Sequence, residues 1–351
     1  MEGHTIKDVA AAAGVSTATV SRVLAPDGTG RVSEKTRLRV HSAVEKLGYR
    51  TNHAARSLKT RSTRTVAIVA PELANDFFMD LAEGIERELD AHGYTLLLAS
   101  STNSIEEEKK RIAMFEERMA DGMVIIPAGS RGEHLRDLTN RGFPVVLVDR
   151  LVEGVTVDAV LSDNEGGGFE LTRRLLADGF KRIAFVGGDI TISTARERLS
   201  GFARALAEAG IQAEPEWILL GGMQVEDGYR GMERLLRFRR PPEALVAVNL
   251  LVHLGMERRL LEYRRDRRAP PFVIAGFDET MYTPFLPACR YTAAQDAVGI
   301  GKKAGERILE CIDLKKERNK ASLAKGTKIP ATEQARTGPR IIRMPVTIIR
   351  H

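Results

Sequence analysis

The stretch Thr5 to Leu24 reads TIKDVAAAAGVSTATVSRVL, and its polar side chains suit hydrogen bonding to a duplex. Arg22 can fork onto guanine O6 and N7, and Thr17 and Ala18 can touch a thymine methyl. A good bidentate pair is worth about 1–3 kcal/mol of discrimination between bases. Thr5, Ser16, Thr19, Ser21, Arg31 and Ser33 are candidates for phosphate contacts, which orient a protein on the duplex and carry no sequence information. The spacing supplies the scaffold. Ile6, Val9 and Ala10 form an apolar face at i, i+3, i+4, and Val20, Val23 and Leu24 repeat it. Between them Gly14 suits a turn needing positive φ, and Ser16 suits an N-cap. Two short helices in this order make a helix-turn-helix, whose second helix enters the major groove and presents its first residues to base edges.

Charge agrees with that reading. Residues 1–64 hold 12 Lys/Arg against 5 Asp/Glu, whereas the whole 351-residue chain is only +6. A basic cap on a near-neutral body is the footprint of a phosphate-binding module. At 43% hydrophobic and 28% charged residues, the chain reads as globular with two or three domains. No apolar run is long enough to span a membrane, and MEGHTIKDVA lacks the pattern of a secretory signal. Cys289 and Cys311 are the only cysteines, which points to reduced thiols in the cytoplasm, and no Cys/His cluster has zinc spacing. Neither a metal nor a cofactor is expected.

A turn-rich stretch, Ala25 to Gly30, follows the two helices; Ser33 then caps a third, with Val40, Val44 and Leu47 inward. The next segment, TNHAARSLKTRST, is polar, basic and too short to be a stable helix alone, so it reads as a linker able to fold upon DNA. From Arg64 the pattern becomes apolar runs separated by helical segments: TVAIVAP, YTLLLAS, DGMVIIPA and PVVLVD, then AVLSD, RIAFVGG, WILLGG, ALVAV and FVIAGFD. Such alternation implies parallel sheets covered on both faces. The number of units exceeds one sheet, so two doubly wound lobes are expected, with a cleft at their strand ends. The run RIIRMPVTIIR is expected to return as a tail strand to one lobe, and Lys315–Pro339 reads as a flexible Lys-rich insertion before it.

Strand-end residues are the candidates for holding a small molecule. They are Asn75 and Phe78 after the first strand, Ser100 and Ser101 after the second, and Asp149 and Arg150 after PVVLV. Arg196 and Arg198 open the TARERL helix; Asn249, Asp278 and Gln295 follow later strands. Enzyme motifs are missing from the places that would need them. APELAND stands where a dinucleotide fold has G-x-G-x-x-G, and VGIGKKAG lacks the phosphate-loop spacing. A transport-type binding protein would share such a core but carry a secretory signal and no basic headpiece.

The segment Thr5–Leu24 resembles the headpiece of the LacI/GalR family of bacterial transcription regulators. The likeness continues through LGYRTNHAARSLKTRSTRTVAIVAP, DNEGGGFELTRRLLADGFKRIAFVGG, TARERLSGFARALAEAG and IAGFDE, covering residues 4–313 and the last strand. The resemblance implies an all-α helix-turn-helix headpiece over 1–50, a hinge helix or linker over 51–63, and a periplasmic-binding-protein-like α/β core over 64–351 for effector binding and dimerisation. Lobe 1 is expected at about 64–160 and 293–313, and lobe 2 at about 161–292 and 340–351. In the hinge, Leu58 matches the family's leucine that wedges into the minor groove, with Asn52, Ala55 and Lys59 beside it. An apolar wedge opens pyrimidine–purine steps most cheaply, so one is expected at the operator centre.

The family match also ranks the ligand contacts: Phe78, Asp149, Arg198, Asn249, Asp278 and Gln295 first, with Arg150 and Arg196 beside them. It implies a homodimer on a palindromic operator, acting as a repressor under a sugar or sugar derivative; the three arginines tilt the expectation towards a sugar phosphate or sugar acid. Without heptads after the last strand, a coiled-coil tetramer is not expected. Inducer and co-repressor control use the same parts, and the sequence does not choose between them. Departures from the family pattern are Thr51 in place of Pro, Leu250 after Asn249 in place of Asp, Gly179-Phe180 in place of Gly-His, a longer loop from Ala25 to Val32, and the 315–339 insertion.

Overall fold

The computed structural model describes residues 4–24, 32–49, 62–266, 272–325 and 340–351. The chain divides into two units, 1–64 and 65–351. In the first, α1 (Ile6–Ala13), α2 (Thr17–Val23) and α3 (Glu34–Leu47) pack around Val9, Ala10, Ala13, Val20, Val23, Val40 and Ala43. Val44 and Leu47, expected inward, are half-buried at the margin of that core. Caps set the helix ends. The Thr5 N–H donates to the Asp8 carboxylate at 2.7 Å and the Thr5 hydroxyl at 2.9 Å, so α1 begins there. It ends at Gly14, whose φ of +62° is open to glycine without a Cβ clash. Ser16 then starts α2 by accepting the Thr19 N–H at 3.2 Å.

The second unit holds two six-stranded sheets. Its helices and strands alternate as β1 (Thr65–Ala70), α4 (Asp76–Ala91), β2 (Thr95–Ser100), α5 (Ile105–Glu117), β3 (Gly122–Ile125), α6 (Glu133–Asn140), β4 (Val145–Val148) and β5 (Asp158–Ser162). The chain then crosses into the second lobe as α7 (Asn164–Ala177), β6 (Ile183–Val186), α8 (Ser193–Glu208), β7 (Ile218–Leu219), α9 (Val225–Leu235), β8 (Ala244–Ala247), α10 (Leu250–Asp266), β9 (Val273–Phe277) and β10 (Cys289–Gln295). It returns as α11 (Ala297–Lys325), β11 (Ile341–Met344) and β12 (Val346–Arg350). The strand orders are β11-β5-β4-β3-β1-β2 and β12-β10-β9-β8-β6-β7. Every pairing is parallel except β10 with β12. The central strands are buried Val, Ile, Leu and Ala runs because helices cover both faces.

Three expectations need correction. The tail run does not return to one lobe: Pro345 divides it, β11 joining β5 in the first sheet and β12 joining β10 in the second. Residues 293–295, expected in the first lobe, end β10 of the second sheet, so the crossover falls just before α11. The insertion does not begin at Lys315, because α11 continues to Lys325. Three of its cations are held by contacts along α11. Lys315 lies 4.6 Å over the Phe143 ring, Lys316 donates to the Tyr94 hydroxyl at 2.8 Å, and Arg318 donates to the Gly142 carbonyl at 3.1 Å. Cys289 and Cys311 are free, and burial pushes both thiols up to about 12, a range that keeps them protonated. No helix among the described residues is long and apolar enough to cross a membrane.

Candidate functional site

In the headpiece, α2 turns Thr17, Ala18, Ser21 and Arg22 outward while Val20 and Val23 face the core. Arg22 is exposed and has no carboxylate partner among the described residues. Ser16 and Ser33 are exposed, and their hydroxyls already cap α2 and α3; Thr19 is half-buried and bonds Ser16. The Thr5 hydroxyl is spent on Asp8, whose carboxyl the backbone and side chain of Thr5 hold below its ordinary range. Arg31, Asn52, Ala55, Leu58 and Lys59 lie outside the described residues.

In the core, a cavity of about 340 Å³ opens between the lobes at the strand ends. Phe78, Asp149, Arg150, Arg198, Asn249, Asp278 and Gln295 all line it. Arg196 does not: it points to solvent from the outer side of α8 and bonds the Ile190 and Thr191 carbonyls. Two residues apart on a helix lie roughly 200° apart, so Arg196 and Arg198 cannot share a face. Ser100 and Ser101 bond the Pro71 and Ala70 carbonyls instead of lining the cavity.

Arg198 is the organising group. It is 3% exposed, and α8 can carry it so deep because α7 and α8 meet backbone to backbone. A Cβ on Gly168 would lie 2.3 Å from the Arg198 carbonyl, and one on Gly201 2.1 Å from the Glu165 carbonyl. The guanidinium stacks 3.8 Å over the Phe277 ring. Nε donates to Asn164 Oδ1 at 2.8 Å and Nη1 to the Val248 carbonyl at 2.7 Å, and Nη2 makes no hydrogen bond among the described residues. Burial pushes the Arg198 pKa down, and the nearby Asp278 and Asp149 carboxylates oppose it. Asp149 and Asp278 both sit in the left-handed region, at φ +66° and +72°, immediately after β4 and β9. That conformation is costly for a residue with a side chain and is held by the surrounding fold.

The remaining groups are largely committed. Burial raises the Asp149 pKa against the pull of Arg150 and Arg198. Arg150 donates to the Pro127 carbonyl at 3.1 Å and brings Nε to 3.5 Å from Asp149. Asp278 accepts from Gln295 Nε2 at 2.5 Å and from the Leu250 N–H at 3.3 Å. Asn249 caps α10: its Oδ1 accepts the Val252 N–H and its Nδ2 donates to the Met223 carbonyl, both at 3.0 Å. Sequence reasoning did not single out Phe77, Glu72, Asn103, Asp189, Thr194 and Met223, which also line the cavity. Phe77 follows Asn75, already a strand-end candidate, and meets Phe78 edge-to-face at 5.5 Å between ring centres. Thr194 lies in the first turn of α8, and the others come from loops whose course no periodicity marks. Two contacts tie the lobes beside the cleft: the Leu151 N–H to Ser193 Oγ at 2.9 Å, and both Arg343 Nη atoms to Glu197 at 2.9 Å. Among the described residues no cluster of three or more His, Cys, Asp or Glu could hold a metal.

A helix-turn-helix unit joined to a two-lobed core with a polar cleft defines the class of ligand-responsive DNA-binding regulators. Residues 5–52 match the model of bacterial regulatory proteins of the lacI family, and residues 63–345 match that of periplasmic binding proteins and the sugar binding domain of the LacI family. The chain belongs to the LacI family of transcription regulators. It is 32% identical over 310 residues to the HTH-type transcriptional repressor PurR of Aliivibrio salmonicida, covering 88% of this chain and 92% of that one. It is 31% identical to the HTH-type transcriptional regulator RegA of Clostridium saccharobutylicum, over 88% of this chain and 93% of that one. Among solved structures it is similar to a complex of the transcriptional regulator CelR with cellobiose, at 27% identity and a TM-score of 0.68, covering 99% of this chain and 98% of that one. The Lac repressor bound to ONPG, at 23% identity and a TM-score of 0.79, covers 99% of each chain and shares the fold.

Proposed function

We propose that this regulator is a cytoplasmic repressor that binds a palindromic operator as a homodimer and is controlled by an uncharged sugar. The observation that carries the ligand reading is the charge balance around Arg198. Asp149 and Asp278 offset Arg150 and Arg198 at the cavity floor, and Glu72 and Asp189 add two further carboxylates at its rim. Of the three arginines that tilted the expectation towards an anion, Arg196 is outside the cleft and the other two already bond backbone or side-chain oxygens. Alternating carboxylates and one free guanidinium edge suit hydroxyl groups, which both donate and accept.

The DNA reading rests on the exposed face of α2 and on residues 51–63 as the hinge, with Leu58 as the minor-groove wedge beside Asn52, Ala55 and Lys59. Ligand binding would favour one lobe arrangement and so shift the spacing of the two hinges in the dimer. Selection from random duplexes by the full-length protein at about 0.15 M salt, where non-specific phosphate binding is weak, is the test. A palindrome with a central pyrimidine–purine step is expected, and Leu58→Gly should lose operator affinity while keeping ligand affinity. Binding of that operator should respond to neutral sugars and not to sugar phosphates. Enrichment of no sequence, with and without pooled sugars, would sink the proposal.

A further inference from the structure

A second cavity, of about 380 Å³, adjoins the effector cleft and shares Asn75, Phe77, Asp278 and Gln295 with it. We infer that this annex is a subsite for a second sugar ring, so that the effector is a disaccharide. The inference rests on the sugar reading above and adds the size and orientation of the ligand.

The annex lies between the first turn of α4, the N-terminus of α10 and the loop after β9. Its walls have two chemistries. Phe77, Met79, Leu250, Met281 and Tyr282 offer apolar and aromatic surface, and Tyr282 is 58% exposed. Asp76 and Asp80 offer carboxylate oxygens, Glu279 already accepts from the Thr292 hydroxyl and pairs with His351, and among the described residues no lysine, arginine or histidine lines the space. A pyranose has the matching pair of properties: C–H faces that pack on rings and a rim of hydroxyls that donate to carboxylates. A phosphate or sugar acid would meet the Asp76 and Asp80 carboxylates, which pair with no cation among the described residues, so the second ring is uncharged. Leu250 lines the annex with its N–H held by Asp278, so the annex has an aliphatic wall where the family pattern places a carboxylate. The 27%-identical CelR structure is a complex with a disaccharide, cellobiose.

Calorimetric titration of the full-length chain tests this, using cellobiose, maltose, lactose and trehalose against glucose and galactose. One disaccharide is expected to bind about tenfold or more tighter than either of its constituent rings, as a ring burying apolar surface should. Leu250→Trp fills the annex and should bring that disaccharide down to the affinity of the monosaccharide, whose own binding stays within about twofold and reports an intact fold. Tyr282→Ala, at an exposed position, should weaken only the disaccharide. If a monosaccharide binds as tightly as every disaccharide, and neither variant discriminates, the annex is no subsite and the sugar reading stands. If no sugar binds while operator binding is intact, both readings fall.

Discussion

Asp149 shows how the cleft trades stability for chemistry. Its carboxyl is buried at a strained φ, and burial outweighs Arg150 and Arg198 so that its pKa lies above the ordinary range. A carboxyl whose folded pKa exceeds the unfolded one binds its proton more tightly in the folded state, so ionisation costs stability near neutral pH. That cost disappears as the pH falls through the folded value towards the unfolded one. Asp149→Asn is therefore expected to unfold at higher denaturant than the parent near neutral pH, with the gap closing at a pH of about 4. The same variant should lose ligand affinity. A less stable asparagine variant at neutral pH would show that the ion pairs outweigh burial. The chemistry of these residues was legible because each follows an apolar run. Their free edges were not legible: that Asn249 is consumed as a cap, or that Arg198 keeps only Nη2, depends on partners distant in the chain such as Asn164 and Met223.

At the scale of elements, the α7–α8 pair positions the Arg198 guanidinium at the cleft. Gly168 and Gly201 let the two helices touch along their backbones. Gly201→Val is expected to push them apart, costing about 1–3 kcal/mol of stability by overpacking and lowering ligand affinity because Arg198 moves with α8. Chemical denaturation and titration on the same sample read both effects; lost stability with unchanged affinity would separate packing from positioning. The strands were legible as buried apolar runs, and helix starts near Asp76 and Ile105 followed from composition. Two element boundaries were hidden. RIIRMPVTIIR is apolar on both sides of Pro345, so nothing local says that its halves serve different sheets. Past Ile312 the apolar period of α11 fades, and the helix continues because cationic side chains find Tyr94, Phe143 and the Gly142 carbonyl.

At the scale of the molecule, the cleft draws its walls from both lobes, so a ligand there bridges them. A ligand that binds only the folded core adds about 2.7 kcal/mol at a hundredfold excess over its dissociation constant. For a core of this size that is expected to raise the melting temperature by about 4–8 °C. The shift should appear in the transition of the 65–351 unit and not in that of the headpiece, none of whose described residues lines the cleft. Scanning calorimetry resolves the two. An equal shift in both transitions would mean that the headpiece unfolds together with the core.

The paired tail strands have a consequence for biosynthesis. β11 closes one edge of the first sheet and β12 one edge of the second, so neither lobe is complete until residues 341–350 have left the ribosome. Chains fold N-terminal parts first, and translation at about 5–20 residues per second leaves the headpiece exposed to folding for tens of seconds before either sheet is finished. During that interval a nascent chain carries a reader without its governor. Any chain cut short upstream of Ile341 keeps that condition for good, and presents two unpaired strand edges to its neighbours. One short peptide thus serves as the completion mark for both halves of the sensor.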